Sequence, residues 1–370
     1  MKHLPLASAL RRSRADGPRF GCPLGRPFGR RLLLGAFACL ATLAWPASLF
    51  GQAVERHPVG HSELRVTEPA GKRPLAVHLW YPAVGTGDAK VLGNTGALRG
   101  FEAIPEGTRA PGRFPLALLS HGVEGSWRNL GWLAARLAAG GMIAAAPSHP
   151  ETAELWERPE DLRRILTRLL ADPAWQPAID PARILAIGHS LGGYTVLALA
   201  GAHFDPARFE RYCAEKPDRW DCTWPRDKGV GRTAAARDKL RQDLRDPRLR
   251  AVIALDSALG QALDPESLAE VALPVLVLGG AEDLPILPIA EGSRHIAGLL
   301  PKATTTYREV PDAGHFSFLA ECKARAIAVL RAEGRGEEII CRDGGRRDDR
   351  QSLHLLFLQE IRRFLGKAGF

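Results

Sequence analysis

The chain has 370 residues, 45% of them hydrophobic and 25% charged, with a formal net charge of +9. A chain of this size and apolar content folds around a sizeable core, which excludes a disordered or low-complexity protein. The basicity is local. Residues 1–53 hold eight Lys or Arg and one acid, and the 42 basic and 40 acidic residues beyond them leave only +2. No basic stripe interleaved with aromatics stands out there, so a nucleic-acid partner is not expected.

At the amino terminus Arg30 and Arg31 precede the apolar run Leu32 to Trp45, and Gly51-Gln52-Ala53 offers small residues of the kind a signal peptidase reads. The run is short for a membrane span. Residues 1–53 therefore read as a cleaved export leader and residues 54–370 as the folded part, with no stable membrane span after cleavage. The arginine pair loosely resembles a twin-arginine signal, which leaves the export route open. Phe37 and Ala38 fit a lipobox badly, which argues against Cys39 as a lipid anchor.

Beyond the leader, β-type and helical runs alternate without repeat or linker, pointing to one α/β domain. Strands are predicted at about 63–68, 75–81, 115–119, 142–147, 183–187, 251–255, 274–278 and 305–310, the first two as a hairpin. Helices are predicted at 130–139, 159–170 and 289–300, with a closing one at 353–365. Unbroken apolar runs such as Ala251 to Leu255 and Val275 to Leu278 are what strands buried on both faces look like. The expected fold is thus a mostly parallel eight-stranded sheet with helices on both faces. Right-handed crossovers would gather the loops after the strands at one edge. The segment 202–249 is too long for a plain connection. Its Phe204, Phe209, Tyr212, Trp220 and Trp224 suggest a cap near the site, while its charged stretch 233–244 would suit a solvated helix on the flank.

The loops carry the chemistry. Phe114 to Gly125 is a buried strand ending in His121-Gly122, where the glycine allows the chain to turn with its amides inward. Arg183 to Tyr194 sets Ser190 in G-x-S-x-G between a strand-type and a helix-type run, the setting of a nucleophile elbow. A serine hydroxyl is a poor nucleophile until an imidazole takes its proton and a carboxylate orients that imidazole. His315, in the loop after the last predicted strand, is the candidate base. Two acids precede it. Asp283 ends the glycine turn Gly280-Ala281-Glu282-Asp283 and is favoured on that pattern, and Asp256 ends the neighbouring strand and is the alternative. The oxyanion formed on attack needs preorganised donors, assigned to the backbone amides of Leu191 and Val123. His121 and His189 are read as supports of these turns.

Cys213, Cys222, Cys322 and Cys341 remain after leader removal, and proximity suggests the pairs Cys213–Cys222 and Cys322–Cys341, with the two other pairings of four cysteines left open. No Cys-x-x-Cys or His-x-x-x-His spacing accompanies them, so no metal is expected.

These segments together resemble the α/β-hydrolases of the dienelactone-hydrolase-like and platelet-activating-factor-acetylhydrolase-like group. The likeness rests on Ser120-His121-Gly122, Pro147-Ser148-His149-Pro150, Gly188 to Gly193 and Asp312 to Phe318, and covers roughly residues 60–367. It implies Ser190 as nucleophile, His315 as base and the Val123 amide in the oxyanion hole. It leaves the acid open, because Asp256 matches the acetylhydrolases and Asp283 the dienelactone hydrolases. Dienelactone hydrolases proper use a cysteine where this chain has Ser190. The reading is therefore a periplasmic or secreted serine esterase without cofactor, acting on a small-molecule or lipid-like ester. Amide hydrolysis or acyl transfer on the same machinery, and a non-catalytic binding protein of the same fold, are the alternatives.

Overall fold

The structure is a computed structural model and describes residues 57–67, 73–85, 87–282, 284, 287–333, 337–344 and 350–370. The leader lies outside the described residues.

In chain order the strands are β1 (Val59–Val66), β2 (Leu75–Pro82), β3 (Lys90–Leu92), β4 (Phe101–Pro105), β5 (Phe114–Ser120), β6 (Ile143–Pro147), β7 (Ile179–His189), β8 (Ala251–Leu255), β9 (Val275–Gly280) and β10 (Thr305–Val310). They form one sheet in the order β10-β9-β8-β7-β5-β6-β2-β1-β4-β3. Among the described residues the sheet has ten strands rather than the eight expected. The two unforeseen ones, β3 and β4, are short, lie at the sheet edge and are partly exposed, so they lack the apolar run that betrays a central strand. β5 through β10 pair in parallel, and β1–β2, β2–β6 and β3–β4 are antiparallel.

The helices are α1 (Gly131–Ala139), α2 (Glu157–Ala171), α3 (Leu191–Ala200), α4 (Pro206–Glu215), α5 (Trp220–Lys228), α6 (Ala234–Leu240), α7 (Pro265–Ala269), α8 (Ser293–Leu299), α9 (Ala326–Ala332) and α10 (Arg350–Lys367). The period-two alternation of the central strands feeds two cores. Leu116, Leu118, Ile184, Ala186, Val252 and Ala254 face one side, where α2 lays down the stripe Leu162, Ile165, Leu166 and Leu169. Ala117, Leu119, Leu185, Ile187 and Ile253 face the other, covered by Leu133 and Leu137 of α1 and Phe357, Ile361 and Phe364 of α10. The chain runs from β5 to β6 on one side and returns to β7 on the other. That reversal opens a crevice at the carboxyl ends of β5 and β7, where such sheets bind their ligands.

Residues 201–250 form α4, α5 and α6. Asp205 caps α4 by accepting the Ala207 and Arg208 amides, and Thr233 caps α6 through the Ala236 amide. A disulfide joins Cys213 of α4 to Cys222 of α5, and a second joins Cys322 to Cys341.

Candidate active site

Ser190 sits between β7 and α3 with φ 56° and ψ −119°, a conformation that a non-glycine residue holds only when its surroundings impose it. The neighbouring glycines show how tight the turn is. A Cβ on Gly188 would lie 1.9 Å from the Gly192 carbonyl oxygen, and one on Gly192 would lie 2.0 Å from that of Ser120. The turn is tied down from β8: the Ser190 amide donates to the Leu255 carbonyl at 3.0 Å, and the Ala258 amide donates to the Ser190 carbonyl at 3.1 Å.

The Ser190 hydroxyl lies 3.0 Å from His315 Nε2, and His315 Nδ1 lies 2.6 Å from Asp256 Oδ2. Asp256 follows β8 with φ 41°, and its Oδ1 accepts the Gly280 amide at 3.2 Å. A carboxylate only accepts, so His315 carries a proton on Nδ1, and a neutral ring with its proton there offers Nε2 as an acceptor to the serine. The carboxylate found at this ring is Asp256, the alternative acid of the sequence reading. Asp283 lies outside the described residues, and the ring nitrogen it was expected to orient is bonded to Asp256, because β8 adjoins β7 and delivers its terminal carboxylate directly beneath the imidazole.

The His315 loop is held from several directions. His189 Nε2 donates to the His315 carbonyl at 2.8 Å, and burial lowers that ring's pKa to about 3, so it stays neutral. The Ser317 hydroxyl accepts the Gly314 amide and donates to Asp343, which in turn accepts from Arg350. Arg350 also donates to the Ala320 and Ile340 carbonyls, and the Cys322–Cys341 disulfide closes the same region. Trp132 of α1 adds a bond to the Phe318 carbonyl at 2.9 Å.

Opposite the imidazole, the loop after β5 comes against the elbow, where a Cβ on Gly122 would stand 3.1 Å from that of Ser190. Val123 lines the cavity shared with Ser190 and His315. Among the described residues, no backbone hydrogen bond engages the Val123 or Leu191 amide, so both N–H groups are free to meet an oxyanion. The cavity measures about 280 Å³ and is walled largely by apolar side chains, among them Val123, Trp220, Leu284, Leu287, Phe316 and Ile340. Trp220 comes from α5, so the 202–249 segment reaches the site.

Next to Trp220 in sequence, Asp221 does not line the cavity but is a buried carboxylate that the sequence did not single out. It is 4% exposed, accepts the Leu259 amide through Oδ2 at 2.8 Å, and finds no partner for Oδ1 among the described residues. Burial, with smaller contributions from the carboxylates of Glu291 and Asp256, pushes its carboxyl up to about 7 against the pull of Leu259 and His315. Charge inside an aromatic-rich helical insertion gave no signal of burial. Among the described residues, no three His, Cys, Asp or Glu side chains gather as metal ligands would, and no helix is long and apolar enough to cross a membrane.

A family model described as the alpha/beta hydrolase family matches residues 117–328. Among solved structures, a ferulic acid esterase from Streptomyces cinnamoneus is similar with a TM-score of 0.52 and 22% identity, over 80% of this chain and 82% of that one. No curated protein matches.

Proposed function

Because the chain belongs to the alpha/beta hydrolase family, we propose that it is an exported serine esterase that cleaves small neutral carboxylic esters through an acyl-enzyme on Ser190. The observation that carries this reading is the hydrogen-bonded run Ser190–His315–Asp256, at 3.0 and 2.6 Å, opening onto an apolar cavity. In the first half-reaction His315 Nε2 takes the hydroxyl proton as Ser190 Oγ attacks the ester carbonyl. The Val123 and Leu191 amides receive the oxyanion, and Asp256 stabilises the imidazolium. The imidazolium then protonates the leaving alkoxide, and the acyl group remains on Ser190. In the second half-reaction water, deprotonated by the same nitrogen, attacks the acyl carbonyl, and the imidazolium returns the proton to Ser190 Oγ as the Oγ–C bond breaks and the acid leaves. The acid position in this assignment is the one that resembles the acetylhydrolases.

Substrate class follows from the cavity wall. It holds no Lys or Arg among the described residues, and its one carboxylate is Glu124, so an anionic acyl group would find no partner. The volume, about 280 Å³, lies just below the usual range for ligand pockets, which favours short acyl chains. The leader and the two disulfides support export, since such bridges are compatible with an extracellular location. A p-nitrophenyl ester series from acetate to palmitate, run with fluorophosphonate labelling, tests the reading. Short esters are expected to turn over, with labelling at Ser190 that Ser190→Ala abolishes along with several orders of magnitude of kcat. Absence of turnover and labelling in the wild-type protein would overturn it.

A further inference from the structure

Behind the proposed oxyanion loop lies a second serine–histidine–aspartate chain, closed off from the cavity. Asp161 of α2 is fully buried. It accepts two bonds from Arg73 at 3.0 Å, one from Arg164, and one from His149 Nδ1 at 2.8 Å. The proton on His149 is thereby placed on Nδ1, and the bare Nε2 receives the Ser120 hydroxyl at 3.0 Å. Burial keeps this ring neutral, with a pKa of about 4. Ser120 is itself fully buried and meets no substrate, so the chain is not a second nucleophilic site.

Its output runs through the backbone. The His149 amide donates to His121 Nε2 at 2.9 Å, which requires that nitrogen to be bare and puts the His121 proton on Nδ1. His121 Nδ1–H then donates to the Gly122 carbonyl at 2.7 Å, while Arg158 donates to the His121 carbonyl. In a planar trans peptide the N–H points away from the C=O. Holding the Gly122 carbonyl against the His121 ring therefore turns the Val123 N–H to the opposite side.

We infer that His121, locked by the buried Ser120–His149–Asp161 chain, is the positioning residue that aims the Val123 amide at the oxyanion. The inference rests on the proposed esterase reading, in which that amide is a donor. His121 is 2% exposed and touches no reacting atom; it acts by fixing one peptide plane.

The test has an arm that needs no variant. In 15N-histidine-labelled wild-type protein, the His121 ring should show a protonated Nδ1 and a bare Nε2 at neutral pH. The reverse tautomer or an imidazolium overturns the inference. His121→Asn places an amide NH₂ where Nδ1–H stood and should keep kcat within about 10-fold, whereas His121→Leu should lower kcat by about 10²-fold with KM changed less than about 3-fold. Affinity for a trifluoromethyl ketone, which forms a tetrahedral oxyanion on Ser190, should fall with kcat. A folded Leu variant that keeps kcat and ketone affinity refutes the positioning role. If that variant does not fold, the tautomer and the Asn variant decide. Turnover by wild type and its loss in Ser190→Ala test the esterase reading separately, so failure of the His121 arms alone counts only against this inference.

Discussion

Replacing Asp256 by Asn should cost about 10⁴ in kcat, or about 5.4 kcal/mol of transition-state stabilisation at 1.36 kcal/mol per tenfold. The route to that loss follows from the bonds around the carboxylate. Oδ2 faces His315 Nδ1 at 2.6 Å, while Oδ1 accepts the Gly280 amide at 3.2 Å and stands 3.5 Å from the Ser293 hydroxyl. An asparagine has one oxygen for two sides. The Gly280 N–H cannot do without an acceptor, whereas His315 can move its proton, so the oxygen stays toward Gly280 and the NH₂ faces the ring. Nδ1 must then be bare and Nε2 protonated, pointing an N–H at Ser190 where an acceptor is needed. Asparagine tolerates the φ of 41° at this position, so the backbone should hold. The assay is kcat and KM on a short p-nitrophenyl ester, with near-UV circular dichroism to show folding. A folded Asp256→Asn variant within about 10-fold of wild type, or a larger loss in Asp283→Asn, would refute the reasoning.

His315→Ala should lower kcat as severely as Ser190→Ala without unfolding the protein, and near-wild-type turnover would remove the base assignment. Mass spectrometry of the non-reduced exported protein should recover Cys213 with Cys222 and Cys322 with Cys341, and free thiols at all four would sink the pairing. Removing the Cys322–Cys341 bridge, which spans 19 residues, should cost about 3 kcal/mol of stability, read from denaturant melts. Asp221 makes stability fall with rising pH. Its folded pKa of about 7 lies above the ordinary 3.8, so the penalty is absent below pH 3.8 and accrues until about pH 7, reaching up to about 4 kcal/mol. Asp221→Asn should therefore raise Tm at pH 8 and leave it little changed at pH 4, and a Tm-versus-pH curve identical to wild type would contradict this.

The elbow was readable because its chemistry leaves a local trace: an apolar strand, glycines where side chains would collide, and a helix. The central strands were readable for the same reason, and observed bounds such as Ala251–Leu255 match the apolar run. The acid was not. Asp256 and Asp283 both follow strands, and a turn pattern carries no information on which strand end comes within 2.6 Å of an imidazole 59 residues away. The strand order supplies that information, since β8 sits between β7 and β9. Nor could the Ser120–His149–Asp161 chain be read. Asp161 looks like any acid on a solvated helix face until three-dimensional packing brings Arg73 and His149 to it.

The separation between the parts that perform the proposed chemistry and the parts that wall the cavity bears on how such an enzyme changes over generations. Gly188, Gly192 and Gly193 cannot accept even a methyl group without backbone displacement, so the elbow is nearly closed to variation. Trp220, Leu284, Leu287 and Ile340 come from three separate segments and bear none of the hydrogen bonds that join Ser190, His315 and Asp256. On the proposed esterase reading, substitutions there should alter which acyl group fits while leaving the proton path untouched. Selection for a new ester can therefore proceed through one wall at a time, each step testable in a protein that still turns over its old substrate.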